Sequence, residues 1–251
     1  MKSVPVLMLH CSGSSGAQWR ALAAKLGPAY RAIAPDLAAH ATLEQAAAAL
    51  AGTLRGIGEP AHLVGHSYGG GLALHLARTR PGLFRSLTLI EPSAFHLLRC
   101  GDAMDTAALR EICGVAAQAR ADFASGAHLE GFGRFVDYWS GPGAWAAMPA
   151  EKRAAFSAQL GNIVLDFQAL LGEPSGLEDL RGLPLPTLLV QGGRTQLPSR
   201  SVCKRLHHAH PAWRFEVLNG AGHMLPVTHR DAVNDLIAEH LGLIGAQRQA
   251  A

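Results

Sequence analysis

Short apolar runs alternate with alanine-rich stretches of helical periodicity along most of this chain. This alternation is typical of a parallel sheet whose strands are joined by crossover helices. The predicted strands are residues 4–10, 30–35, 61–65, 86–90, 185–190 and 213–218. The predicted helices are residues 17–26, 42–54, 68–79, 199–208 and 228–241, with Thr42 as an N-cap. We therefore expect an α/β fold with a mainly parallel sheet of about six strands, flanked by helices.

The alternation stops between residues 93 and 180, where apolar residues keep helical spacing without a clear strand. Aromatic side chains are concentrated in the same stretch. A segment of roughly 85 residues is long for a loop. We expect an all-helical insertion, residues 93–180, in an α/β core formed by residues 1–92 and 181–251.

The composition argues against several classes of protein. With 49% hydrophobic and 16% charged residues, the chain has enough apolar material for a large core and an apolar pocket. The formal net charge of +3 is small and the basic residues are scattered, so we expect neither nucleic-acid nor membrane-surface binding. No stretch approaches the roughly 20 apolar residues of a membrane span. The four cysteines lack zinc-site spacing, and we expect reduced thiols in a cytoplasmic protein.

The pentapeptide Gly65-His66-Ser67-Tyr68-Gly69 lies between a predicted strand and a predicted helix. A strand-to-helix turn this sharp leaves no room for side chains two residues before and two after the serine. The serine is held in a strained conformation with its hydroxyl exposed, and the helix N-terminus favours developing negative charge. The motif predicts that Ser67 is a nucleophile. The alternative is a tight glycine turn with an incidental serine.

These residues, with the loop His10-Cys11-Ser12-Gly13, resemble the α/β-hydrolase superfamily. The loop is similar to the family's oxyanion loop, although Cys11 replaces the usual glycine. The resemblance implies that the backbone N–H groups of Ser12 and Tyr68 form the oxyanion hole. Cys11 itself is expected to pack as a small hydrophobe rather than to act as a second nucleophile.

The general base is predicted to be His223, in Gly220-Ala221-Gly222-His223-Met224 after the last predicted strand. A glycine-rich loop at this point lets an imidazole reach the serine across the carboxyl edge of the sheet. Of the 13 histidines, His223 alone has both the motif and the required place in chain order.

The resemblance also implies a catalytic triad, in which an acidic residue orients the general base. The sequence offers more than one candidate for this acid. The position that most family members use, after the penultimate strand, holds Thr195, which cannot carry a charge. A second placement known in the family, at the end of the strand after the nucleophile helix, holds Glu91. Burying an unpaired carboxylate there would cost free energy, so we predict Glu91 as the acid. The alternatives are Asp102, a dyad without an acid, or a Glu91 that only caps a helix.

The helical insertion resembles the cap domain that many family members place over the active site. Its aromatic and aliphatic side chains either line a substrate pocket or pack within the cap. The candidates for the pocket are Phe95, Leu97, Leu98, Phe135, Trp139, Trp145 and Met148.

The resemblance implies a serine hydrolase that cleaves a carboxylic ester, or a related acyl compound, of a small, fairly apolar molecule through an acyl-enzyme. Such a reaction needs no cofactor and no metal. Two alternatives stay open: a carbon–carbon bond hydrolase or lyase on the same triad, and a non-catalytic ligand-binding member of the fold.

Overall fold

The computed structural model describes the backbone of residues 3–250 and the side chains of residues 3–246. Within this range the strands form one sheet in the order β2-β1-β3-β4-β5-β6, and every pairing between neighbours is parallel. The strands are β1 Val4–Leu9, β2 Tyr30–Ile33, β3 Ala61–His66, β4 Phe84–Ile90, β5 Thr187–Gly192 and β6 Arg214–Leu218. The predicted six-stranded parallel α/β fold is confirmed.

Helices cover both faces of the sheet and fill the long segment between β4 and β5. They are α1 Arg20–Leu26, α2 Leu43–Ala49, α3 Ala51–Ile57, α4 Tyr68–Thr79, α5 Ala103–Ala124, α6 His128–Ser140, α7 Ala150–Ser157, α8 Leu160–Gly172, α9 Leu197–Ala209, α10 Leu225–Thr228 and α11 Arg230–Ala250. The helix predicted over residues 42–54 is divided at Leu50 into α2 and α3. Its predicted N-cap is confirmed, because the Thr42 hydroxyl accepts a hydrogen bond of 3.2 Å from the Gln45 N–H.

Alternate residues of the strands enter two apolar clusters on opposite faces of the sheet. In β1, Leu7 and Leu9 face a cluster with α2 and α4, while Val6 and Met8 face a cluster with α1 and α11. A strand with both faces buried presents no polar face to water, so it reads in the sequence as a continuous apolar run. All six residues of β3 are buried for this reason.

The helical segment (residues 93–180), which the structure describes in full, contains α5 to α8, short 3₁₀ helices and no strand. It connects the carboxyl end of β4 to the start of β5, and α5 packs against α6, α8 and α9. One apolar cluster continues from the sheet into this segment, where it includes Ile112 and Leu160. The division into a core and an inserted cap domain therefore stays a prediction.

Long apolar helices of the membrane-spanning kind are absent from the described part of the chain.

Candidate active site

Ser67 lies at the turn between β3 and α4, with φ 55° and ψ −119°. Few residues with a side chain adopt such a conformation, and it persists only where the surroundings enforce it. The two flanking glycines show how tight the turn is. A Cβ on Gly65 would lie 2.3 Å from the Gly69 carbonyl oxygen, and one on Gly69 would lie 2.3 Å from the Leu9 carbonyl oxygen. The sequence pattern of this turn thus has a direct steric cause.

The side chains of Ser67, His223 and Glu91 form one hydrogen-bonded chain. The Ser67 hydroxyl lies 2.9 Å from His223 Nε2, and His223 Nδ1 lies 2.6 Å from Glu91 Oε2. The three side chains come from the ends of β3 and β4 and from the loop after β6, and all are buried. The structure therefore brings together the three residues singled out as nucleophile, base and acid.

The Glu91 carboxylate is held from several directions. Its Oε1 accepts a hydrogen bond of 2.7 Å from the Gly192 N–H, and its Oε2 accepts one of 2.6 Å from the Thr195 hydroxyl. Thr195 occupies the position where the resemblance implies the commoner placement of the acid, so both placements lie beside the same carboxylate. Glu91 has a positive φ of 42°, a strained backbone that turns its side chain toward His223.

Neither alternative acid role agrees with this geometry. Asp102 caps α5, where its side chain accepts hydrogen bonds from the N–H groups of Met104 and Asp105. Glu91 contacts the His223 ring, the Gly192 N–H and the Thr195 hydroxyl, and it caps no helix among those that the structure describes.

His66, inside the turn, contacts the backbone of His223. Burial, aided by the neighbouring His223, lowers the pKa of His66 to about 3, so its ring is neutral. Its Nε2 lies 3.0 Å from the His223 carbonyl oxygen and its Nδ1 lies 3.2 Å from the Gln18 amide nitrogen. A neutral ring with the proton on Nε2 satisfies both contacts, donating to the carbonyl and accepting from the amide.

The loop after β1 brings Ser12 close to Ser67. The Cys11 N–H donates to Gln18 Oε1 at 3.1 Å, and the Gly69 N–H donates to the His10 carbonyl at 3.1 Å, which ties the loop to α4. The Tyr68 N–H belongs to the first turn of α4, where amides lack partners within the helix. Burial raises the pKa of the Cys11 thiol to about 12, which fits a packing role better than a nucleophilic one.

Two spaces open at Ser67. The large cavity has a volume of about 170 Å³ and includes Ser12 and His223 among its lining residues. Its other side chains are mostly apolar, among them Phe132, Phe135, Val136, Trp139, Met148, Phe156 and Met224. The small compartment has a volume of about 10 Å³, room for one water-sized group. It is bounded by Ser12, Ser67, Ser93, Phe95, Phe135, Trp139, Asp166, Phe167 and Leu170.

The expected pocket residues divide into two groups. Phe95, Phe135, Trp139 and Met148 line one or both of these spaces, and the Trp139 ring lies 4.0 Å from the His223 ring between centroids. Leu97, Leu98 and Trp145 line neither space, which agrees with the alternative that they pack within the helical segment. The two leucines are buried in a short helix packed on α9. Trp145 packs against Phe132, with 5.8 Å between ring centroids.

Sequence reasoning missed several residues at this site. Phe132 and Phe156 carry no signal that separates them from other aromatics of the helical segment. Ser93 lies two residues after Glu91, and its hydroxyl is 3.2 Å from that of Ser67. Asp166 did offer a signal, because it is a lone carboxylate on a helix face that is otherwise apolar.

Among the residues that the structure describes, no three His, Cys, Asp or Glu side chains are grouped as metal ligands would be.

Comparison with known proteins identifies the family. The chain is 34% identical over 140 residues to lipase LipV of Mycobacterium tuberculosis, a match that covers 49% of this chain and only half of the lipase. It is 27% identical over 256 residues to the pimeloyl-[acyl-carrier protein] methyl ester esterase of Aeromonas hydrophila, covering 94% of this chain and 95% of the esterase.

Among solved structures, the enol-lactonase from Burkholderia xenovorans LB400 superposes with a TM-score of 0.74 at 17% identity. The superposition covers 96% of this chain and 92% of that one, and at this identity it concerns the fold alone. Residues 6–236 match the Alpha/beta hydrolase family, and the chain therefore belongs to that family.

Proposed function

We propose that this protein is a serine hydrolase that cleaves a carboxylic ester, or a related acyl compound, of a small and fairly apolar substrate through an acyl-enzyme. The observation that carries the proposal is the hydrogen-bonded chain from Glu91 through His223 to Ser67, which ends in an apolar cavity. The esterase and lipase names of two similar proteins agree with it. The expected partner is a small molecule.

In the first half-reaction the Ser67 oxygen attacks the substrate carbonyl while His223 Nε2 accepts the hydroxyl proton. The distance of 2.9 Å between these atoms suits that transfer. Glu91 accepts a hydrogen bond from the His223 Nδ1–H, which holds the tautomer with Nε2 free and stabilises the imidazolium. Thr195 and Gly192 keep the Glu91 carboxylate in place by donating to it.

The tetrahedral intermediate carries an oxyanion that the N–H groups of Ser12 and Tyr68 would stabilise, together with the N-terminus of α4. His223 then gives its proton to the leaving alcohol, which leaves an acyl group on the Ser67 oxygen. Water attacks this acyl-enzyme with His223 again as the base, and the acid is released.

The large cavity supports the choice of substrate class. Its side chains are mostly aromatic or aliphatic, and its volume of about 170 Å³ suits a small group rather than a polymer. A desolvated apolar cavity also strengthens the electrostatic contribution of the oxyanion donors.

A serine-reactive fluorophosphonate probe, followed by a panel of phenyl esters of increasing acyl length, tests the proposal. We expect wild-type protein to be labelled and to hydrolyse the short esters, and Ser67→Ala to lose both properties. Ser157→Ala, which removes a hydroxyl at the end of α7 that donates to the Ala154 carbonyl, is the matched control and should keep both.

Three results would contradict the proposal. Turnover of vinylogous diketones without turnover of esters would favour carbon–carbon bond hydrolysis. Ligand binding without turnover of either class would indicate a binding protein. Ester hydrolysis that survives Ser67→Ala would exclude the nucleophile.

A further inference from the structure

The two spaces at Ser67 differ in the residues that a substrate would meet. His223 lines the large cavity but not the small compartment. Because His223 protonates the leaving group in the proposed reaction, the leaving group must lie on the side of the large cavity. The substituent on the acyl side of the scissile carbonyl then points toward the small compartment, which has room for one water-sized group.

The small compartment is apolar apart from three serines and Asp166. Asp166 lies on the buried face of α8, between Ile163 and Phe167, and is only 5% exposed. A carboxyl group in such surroundings costs free energy unless something binds it. The triad does not use Asp166, and its hydrogen bond with the Ser12 side chain leaves part of the carboxyl's hydrogen-bonding capacity for a ligand in the compartment.

Burial raises the pKa of Asp166 to about 7, and a hydrogen bond with the Ser12 side chain opposes this rise only in part. Near neutral pH a large fraction of Asp166 is therefore an uncharged carboxylic acid, which can both donate and accept hydrogen bonds. The nearby Tyr68 phenol and Cys11 thiol have raised pKa values, chiefly through burial, and so stay uncharged as well. An uncharged Asp166 can sit beside the oxyanion without repelling it.

We propose that Asp166 is a specificity-determining residue, which selects acyl groups that carry a hydroxyl group on the carbon next to the scissile carbonyl. The inference rests on the proposed ester hydrolysis. A hydroxyl group is water-sized, so it fits the compartment, and it can exchange hydrogen bonds with the Asp166 carboxyl. A methyl group of similar size would fill the same space and leave the carboxyl without that partner. Sites built to bind a substrate hydroxyl discriminate strongly against analogues that lack it.

Two esters that differ by one group test this selection: phenyl 2-hydroxypropanoate and phenyl 2-methylpropanoate. The measured quantity is the ratio of their kcat/KM values, divided by the ratio of their rates with hydroxide ion. Both rates come from one enzyme preparation, so any inactive fraction cancels. For wild-type enzyme we expect a corrected ratio of about ten or more in favour of the hydroxy ester. A corrected ratio near one would overturn the proposal.

Variants of Asp166 test whether this residue causes the preference for the hydroxy ester. Asp166→Leu keeps the approximate shape but forms no hydrogen bonds, so the corrected ratio should fall about tenfold. Asp166→Asn keeps a donor and an acceptor and should retain most of the preference. Asp122→Asn is the control, because Asp122 is a buried carboxylate of α5 that pairs with Arg134 and lines neither space at Ser67. An Asp166→Leu enzyme with the wild-type ratio would contradict the proposal.

Different results would refute the ester hydrolysis proposal and the proposal that Asp166 selects the acyl group. If the wild-type enzyme hydrolyses no ester of the phenyl ester panel, the proposed function fails and this selection fails with it. If it hydrolyses the panel but not phenyl 2-hydroxypropanoate, the hydrolase proposal stands and the selection is refuted. If the enzyme cleaves both esters through Ser67 without discrimination, the hydrolase proposal stands and the role of Asp166 is refuted.

Discussion

At the scale of single residues, the site depends on two strained backbones placed at the ends of adjacent strands. Ser67 and Glu91 are the two residues other than glycine with positive φ within the described part of the chain. Strain of this kind persists only where surrounding contacts enforce it. Here it directs a hydroxyl and a carboxylate toward opposite nitrogens of one imidazole.

Removal of the proposed nucleophile or the proposed base should almost abolish ester hydrolysis. We expect Ser67→Ala and His223→Ala each to lower kcat by about four to six orders of magnitude. The double variant should lose little more than either alone, because the two groups act as one unit. Steady-state kinetics on a phenyl ester measures the loss, and circular dichroism checks that each variant is folded. Additive losses would argue against a shared nucleophile–base pair.

Replacement of the proposed acid should lower the reaction rate without unfolding the protein. Glu91→Gln should lower kcat by about two to four orders of magnitude, because an amide favours the wrong tautomer of His223. The double variant Glu91→Gln/Thr195→Asp should recover part of the loss, since Thr195 lies within 2.6 Å of the same carboxylate.

Asp102→Asn is the matched control for that experiment. It alters an exposed helix cap, so kcat should stay at the wild-type value. A fully active Glu91→Gln enzyme would show that His223 works without this acid.

At the scale of elements, a buried carboxylate at the end of α8 pairs with two side chains of α4. Glu173 Oε2 accepts a hydrogen bond of 3.0 Å from His75 Nδ1, and its Oε1 accepts one of 3.3 Å from Arg78. This contact therefore connects the end of the helix that carries Asp166 to the helix that follows Ser67. Burial alone would raise the pKa of Glu173, but hydrogen bonds from His75 and Ser175 outweigh it and lower the pKa to about 2.

A depressed pKa makes the contribution of Glu173 to stability depend on pH. The stabilisation is complete above the pKa of about 4.3 in the unfolded chain, and it is lost as the pH falls toward about 2. Glu173→Gln should lower the free energy of unfolding on the order of 2 kcal/mol at pH 7, and the difference from wild type should shrink by pH 3. Urea unfolding at both pH values measures it. Glu151→Gln, an exposed carboxylate of α7, is the control; a difference that is constant with pH would contradict the prediction.

At the scale of the whole molecule, one apolar cluster runs from the sheet into the helical segment. Elements that share buried side chains lose their contacts together, so we expect the sheet and the segment to unfold in one cooperative transition. Tryptophans report on both parts, since Trp19 and Trp213 lie outside the helical segment and Trp139 and Trp145 lie within it.

Two double variants separate these signals. Trp19→Phe/Trp213→Phe leaves the fluorescence of the helical segment, and Trp139→Phe/Trp145→Phe leaves that of the α/β core. Each variant's fluorescence midpoint in urea should coincide with its own far-ultraviolet circular dichroism midpoint. Separate midpoints would show that the helical segment unfolds as an independent unit.

The sequence by itself determined the strands, the tight turn at Ser67 and the convergence of Ser67, Glu91 and His223. Apolar periodicity and turn sterics act between near neighbours in the chain, so they can be predicted from the sequence alone. Chain order then suffices for the triad, because the carboxyl ends of parallel strands meet at one edge of the sheet.

Only the tertiary structure decided which side chains of the helical segment face Ser67. Helical periodicity indicates that Phe132, Trp145 and Asp166 lie in a segment with buried faces, but it carries no information on what each face meets. That depends on how α6 and α8 pack over the sheet. This packing places Phe132 in the wall of the large cavity, Trp145 against Phe132, and Asp166 in the small compartment beside Ser67. Packing between distant elements is a property of matched surfaces, and a local pattern describes one surface at a time.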